Sequence, residues 1–215
     1  MAIIKIVCPV LLLLFTLACN NNNNDNNARE PSSDSNTVKG TYGYDAAFLR
    51  NYSTHVVELE NQNAKVLLSA DYQGRVMTTT SSGDSGTSYG WINYSLISSG
   101  EKKKQFNPVG GEERLWFGPE GGQYSIYFSK GDSFNVSHWQ VPPIVDTEVY
   151  DIAQSDKSSA TFSKSTVITN YSGAVFNVDI TRRVQLLDKN ATEQKLHANI
   201  ATGIQYVAYE STNQI

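Results

Sequence analysis

Glu112, Glu113 and Glu120, with Arg114 and Trp116 between them, fall within one stretch of nineteen residues, 110–128, that also carries five glycines. A carboxylate can accept a hydroxyl proton or work as acid and base. A guanidinium offers a planar fork of donors, and an indole presents a flat apolar face with a polar edge. Together these groups suit a polar, flat-faced ligand such as a sugar. Arg75, just after the turn pair Gln73-Gly74, is a second guanidinium fit for the same use. The candidate substrate-binding residues are therefore Arg75, Glu113, Arg114, Trp116 and Glu120. Each also has a plain structural role open to it. Glu113 and Glu120 can be paired loop carboxylates, Arg114 can bridge to Glu113, and Arg75 can bridge to Glu113 or Asp71, because structural ion pairs use the same residue types as active sites. Two carboxylates around a sugar would serve glycoside hydrolysis only at the right separation. Trp91 and Trp139 suit a core, which leaves Trp116 as the exposed indole, and His138 is the one histidine near the stretch.

These side chains need elements to hold them. Gly110-Gly111, Gly118-Pro119 and Gly121-Gly122 are loop punctuation, and residues 123–128 alternate as a strand with Tyr124, Ile126 and Phe128 on one face. Upstream, Asp45 is placed to cap a short helix over 46–50. Runs over 56–59 and 66–70, joined by Asn61-Gln62-Asn63, read as a hairpin. Gln73-Gly74 turns the chain into a β-branched run over 75–80, a Ser/Gly loop fills 81–90, and 91–97 fits either a strand or a turn or two of helix. Downstream, 133–139 alternates weakly and 160–170 is β-prone. Residues 176–186 form the cleanest strand, with Phe176, Val178, Ile180, Val184 and Leu186 on one face, interrupted by Arg182. Residues 205–209 read as a last strand. Turn signals recur about every ten residues, which predicts an all-β fold, an antiparallel β-sandwich.

The totals narrow the function. The chain has 215 residues, 40% apolar and 18% charged, with a net charge of −4, which suits one domain. Nucleic acid as a partner would ask for clustered Lys and Arg; the one basic run, Lys102-Lys103-Lys104, reads as a solvated turn. Cys8 and Cys19 are the only cysteines, so no thiol nucleophile or cysteine metal site exists downstream. No metal or cofactor motif is visible.

Residues 1–19 read as a targeting segment, with Lys5 ahead of an apolar run over 6–17 too short to span a membrane. The box Thr16-Leu17-Ala18-Cys19 resembles a bacterial lipoprotein signal, in which Cys19 would be lipidated and become the new N-terminus. It departs from the usual pattern of Leu three places before the Cys and a small residue two before, which leaves an ordinary cut near Ala18 as the alternative. Residues 20–38 are Asn- and Ser-rich and too polar to fold alone. They read as a tether that holds a domain over 39–215 off a membrane, expected to be the outer membrane on its periplasmic side.

Gln73-Gly74-Arg75-Val76-Met77, Gly90-Trp91-Ile92-Asn93, the loop over 110–123, Trp139 with Val141-Pro142, and Tyr206-Val207-Ala208-Tyr209 together resemble a family of lipoproteins and secreted proteins of Gram-negative bacteria. That family is grouped with the galactose-mutarotase-like supersandwich proteins and has no settled function. The resemblance covers most of residues 40–215. It implies a partial supersandwich, about the N-terminal half of members twice as long. It also implies a carbohydrate ligand and, by likeness to aldose 1-epimerases, an acid–base reaction on a sugar ring carried by a His and a Glu. Neither of those residues maps onto a position here. A non-catalytic glycan-binding module and an inactive fragment are the other readings.

Overall fold

The computed structural model describes residues 38–215. The signal segment with Cys19, and all of the expected tether except Val38, lie outside the described residues. Among the described residues, no helix is long and apolar enough to cross a membrane.

The first antiparallel sheet is β1 (Val56–Asn61), β2 (Ala64–Ser69) and β3 (Arg75–Thr80). Asn61 pairs with Ala64 across the expected hairpin turn. The second sheet, in the order given, is β6 (Asp151–Ser155), β7 (Ser159–Thr169), β8 (Val175–Leu186) and β9 (Tyr209–Gln214). A two-stranded ribbon, β4 (Trp91–Ile92) with β5 (Gly110–Gly111), carries the front of the central loop. The fold is thus mostly antiparallel β, and the described residues also form the α-helices α1 (Tyr42–Tyr52), α2 (Tyr94–Ser99) and α3 (Lys189–Leu196).

Strand alternation sends side chains of the first sheet both ways. Leu59, Val66, Leu68 and Val76 meet Phe162, Ile180, Val184 and Leu186 of the second sheet in one apolar cluster. Leu67 and Met77 face the other way, onto Tyr42, Phe48 and Leu49 of α1 and Leu96 and Ile97 of α2. All six residues of β3 are therefore buried. At roughly 1.5–3 kcal/mol per fully buried large apolar side chain, these two clusters supply the main drive to fold. Gly74 lies where the sheets touch: a Cβ there would meet the Phe162 ring at 2.6 Å, and its φ is +65°.

The β7–β8 ladder runs from Ser159↔Gln185 to Thr169↔Val175. Its neighbours cover only one end, since β6 reaches Ser163 and β9 reaches Thr181.

Several expectations need correction. Residues 123–128 form turns, not a strand; Ser125, Tyr127 and Phe128 are buried, while Tyr124, expected on the same face as Phe128, is exposed. Ser125 competes with sheet pairing: its hydroxyl donates to the Glu120 carbonyl at 3.0 Å and accepts from the Tyr127 N–H at 3.1 Å. Residues 133–139 are likewise turns, with Phe134 and Val136 exposed. The first helix is capped by Thr41, whose hydroxyl accepts from the Tyr44 N–H at 3.4 Å. Asp45 is instead buried within it and holds the Ser88 and Tyr94 hydroxyls. Residues 94–99 are helical because the Asn93 side chain caps them. Strand β9 begins at Tyr209, where 205–209 was expected.

Candidate functional site

The central loop is fixed to β3 by its backbone. Glu112 N–H donates to the Val76 carbonyl at 2.8 Å, and Val76 N–H donates to the Glu113 carbonyl at 3.0 Å. The Gly110 carbonyl accepts from Arg75 Nη1 at 2.6 Å. This lays Glu112 and Glu113 beside β3 and turns Glu113 inward. Its Oε2 forms an ion pair with Arg182 Nη2, and its Oε1 accepts from the Ser211 hydroxyl at 3.3 Å. Arg182 is fully buried. It also donates from Nε to the Gly74 carbonyl at 3.0 Å and from Nη1 to Asn213 Oδ1 at 2.9 Å. One guanidinium thus joins β8 to the Gly74 turn, the central loop and β9.

The five sequence candidates do not share one open hollow. Glu113 is the counter-ion of Arg182. Arg75 is buried under the loop, and neither Glu113 nor Asp71 bridges to it. Arg114 lies 4.2 Å over the Trp116 ring and donates from Nη2 to the Val145 carbonyl. Trp116 Nε1 donates to Glu120 Oε1 at 2.7 Å. These last three run outward from a half-buried guanidinium through a half-buried indole to an exposed carboxylate. Trp116 is half-buried against Phe106 and Tyr127, while Trp91, at 62% exposure, is the open indole. Trp139 stacks on Tyr127 with rings 4° from parallel. His138 binds Ser133 within its own exposed turn. None of the five lines the hollows of about 290, 360, 470 or 690 Å³. The glycine-rich loop over 110–123 does not open onto any of these hollows. It is instead drawn inward by Arg182, which the sequence shows only as a break in an apolar face.

Glu112 is a half-buried acid outside the five candidates. Its Oε2 accepts from the Thr79 hydroxyl at 3.1 Å, and its Oε1 has no partner. Burial raises its carboxyl above the ordinary 4.5, against the lowering effect of Thr79. The cost of the buried charge is absent well below pH 4.5, where both folded and unfolded forms are protonated, grows as pH rises from 4.5 to the raised folded value, and is complete above it. Glu112→Gln should therefore be more stable than wild type at pH 7 by about 1 kcal/mol. That gain should vanish near pH 4, as read from urea midpoints at the two pH values.

A different set of groups does surround a hollow. Tyr52, Thr54, Asp71, Tyr72, Asn107 and Asp146 line a space of about 290 Å³ between the start of β1, the end of β2 and α2. Asp146 and Asn107 are both buried and locked together, with Asn107 Nδ2 donating to Asp146 Oδ2 at 2.7 Å. Asp71 accepts from Ser53 Oγ and Thr54 N–H, each at 2.7 Å, and pairs with His55 Nδ1 at 2.7 Å. Burial would raise the Asp71 carboxyl, but these hydrogen bonds, His55 first, outweigh it and hold the pKa below its ordinary value. Asp71 therefore stays ionised beside an imidazole. The His55–Asp71 meeting follows from the hairpin, since Val56 pairs with Ser69 and brings the flanking residues together. Asn107 and Asp146, thirty-nine residues apart, carry no such signal.

Among the described residues, no group of three or more His, Cys, Asp or Glu is placed to hold a metal ion. A family model described as a family of unknown function (DUF6786) matches residues 40–215. No curated protein and no solved structure matches the chain.

Proposed function

The chain belongs to a family of unknown function, DUF6786, and from that premise we propose that it binds carbohydrate, with the ligand seated in the hollow beside Asp71, Tyr72 and Asp146. The observation that carries this reading is the lining of that hollow. Two tyrosines, three carboxylate residues (Asp71, Glu101 and Asp146) and the Asn107 amide line a space of about 290 Å³, near the lower limit for small-molecule sites and suited to a single sugar ring. Carboxylates accept ring hydroxyls, and tyrosine faces cover the apolar face of a pyranose. The larger hollow of about 690 Å³ suits a polyol less well, because Leu187, Leu196, Ile200 and Val207 make much of its lining.

A second reading, epimerase chemistry, is favoured by His55. Its ring is fixed by Asp71 at 2.7 Å and its side chain is 53% exposed, the arrangement of an imidazole able to pass a proton. Calorimetric titration with galactose and glucose tests the binding proposal. Saturable heat is expected, with Tyr72→Ala weakening affinity about ten-fold through a lost stacking contact of about 1.4 kcal/mol. No heat from either sugar, or a folded Tyr72→Ala protein that binds as before, would overturn it. Polarimetry on fresh α-galactose separates the two readings, because only an epimerase would speed the approach to equilibrium and lose that effect in His55→Ala. The proposal also takes Cys19 as the lipidated end of a tether over 20–38; a Cys19→Ser chain that still fractionates with membranes would remove that part.

A further inference from the structure

Arg75 is 3% exposed, yet much of its guanidinium is unsatisfied. Nη1 donates to the Gly110 carbonyl, while Nε and Nη2 are buried without a partner. Those two N–H groups lie along one edge of the planar head, the edge that takes the two oxygens of a carboxylate or phosphate in parallel. Arg114 adds a third buried, unpartnered donor at Nε. A cation taken out of water without a counter-charge is costly, and the neighbouring acids are already committed. Glu113 is held by Arg182, Asp71 by His55 and Ser53, and Asp146 by Asn107, whose backbone N–H reaches Oδ1 at 3.3 Å while its amide holds Oδ2. Burial first, then the charge of Arg114, draws the Arg75 pKa down to about 9, and Asp146 and Tyr72 only partly oppose this. Arg75 holds the Gly110 carbonyl and Arg114 the Val145 carbonyl, and the chain neighbours of those two residues, Val109 and Asp146, line the 290 Å³ hollow although neither arginine does, so both heads lie in the layer behind its floor.

We propose that Arg75, seconded by Arg114, receives an anionic group on the ligand, so that the preferred sugar is an acidic one carrying a carboxylate or phosphate. The inference rests on the carbohydrate reading for the location of the ring; the anion receptor itself rests on the unpartnered guanidinium edges. A bound oxyanion would supply both the missing acceptors and the missing charge, and because both donors are shielded from solvent the floor of the hollow must part to admit it.

Glucose and glucuronate differ only at the carbon that bears the carboxylate, and inorganic phosphate supplies an oxyanion without a sugar. Each is titrated calorimetrically into the full chain at pH 7. The expected result is glucuronate binding at least about ten-fold tighter than glucose, with measurable phosphate binding that competes with glucuronate. Arg75→Lys keeps the charge but loses the fork, so it should abolish the preference while glucose binds as before. If that protein does not fold, as judged by circular dichroism, Arg114→Lys should reduce the same preference. Equal affinity for the two sugars, or a preference that survives a folded Arg75→Lys, overturns the inference and leaves the carbohydrate reading standing. Phosphate binding without sugar binding does the reverse: the receptor stands and the carbohydrate reading falls. If none of the three binds, both fall, and the Arg75 edge is satisfied by water alone.

Discussion

Arg182→Ala should lower the unfolding free energy by about 3–5 kcal/mol, visible as a large fall in urea midpoint. The size follows from what the side chain leaves behind. Arg182 is fully buried and serves three acceptors and one counter-ion: the Gly74 carbonyl, the Asn213 amide oxygen and both the charge and an oxygen of Glu113. Truncation leaves a carboxylate near the meeting point of two sheets without its cation, together with a cavity in the cluster around Phe162 and Val184. Arg182→Met restores volume but not charge, so most of the loss should persist. Adding Glu113→Gln to Arg182→Met should then recover a good part of it, because the damage lies in the unpaired partner and contacting sites do not add independently. A loss under about 1 kcal/mol for Arg182→Ala, in the range of exposed ion pairs, would mean that the pair does not hold the sheets together.

The second large effect is expected at Gly110. Its φ is +98°, and a Cβ there would lie 2.0 Å from the Trp91 carbonyl oxygen. Alanine must therefore take up a conformation that L side chains avoid, at about 1–3 kcal/mol. It must also part β4 from β5, since Gly110 pairs directly with Ile92. Roughly 2–4 kcal/mol of destabilisation follows. The effect should reach beyond the ribbon, because the Gly110 carbonyl holds Arg75 Nη1 and moving it frees that guanidinium further. Fluorescence of the exposed Trp91 and urea unfolding report the local and global parts. A Gly110→Ala protein with an unchanged midpoint would show that the ribbon is not needed to seat Arg75.

What could be read from the chain beforehand was whatever local chemistry decides. The β1–β2 hairpin, the Gln73-Gly74 turn and the whole of β8 follow from period-two apolarity and turn residues, and all appear where expected. β9 shows why the rest was hidden. Tyr206-Val207-Ala208 is more apolar than Glu210-Ser211-Thr212-Asn213, yet the ladder to β8 begins at Tyr209. Two of those polar side chains point toward the interior because Arg182 and Glu113 need them. A strand whose inward face serves an ion pair looks like a loop by hydropathy. α3 was missed for a related reason: it has little apolar content, and Asp188 starts it through a cap to the Ala191 N–H at 2.8 Å. Residues 123–128 failed in the opposite direction, since their alternation fits a strand but Ser125 ties the backbone into a turn. At the candidate site, the sequence singled out the 110–128 loop for its ionisable and aromatic groups, but the partner that turns Glu113 inward lies sixty-nine residues away and leaves no local trace.

The uneven cover of the β7–β8 ladder has a consequence for motion. Near Phe162 and Arg182 the hairpin is flanked by β6 and β9 and packed on the core, so its amides should open to deuterium only with the whole fold. Beyond Ser165 neither edge carries a partner strand, and Val167, Val175 and Phe176 lie largely in water, but the tip is pinned by the central stretch, where Tyr171 N–H donates to the Ser125 carbonyl at 2.7 Å and Ser172 N–H to the Gln123 carbonyl at 3.1 Å, so the amides between the two anchors should exchange fastest. A single pair of strands would then show protection that dips along its middle, between a root packed on the core and a tip moored by two backbone hydrogen bonds.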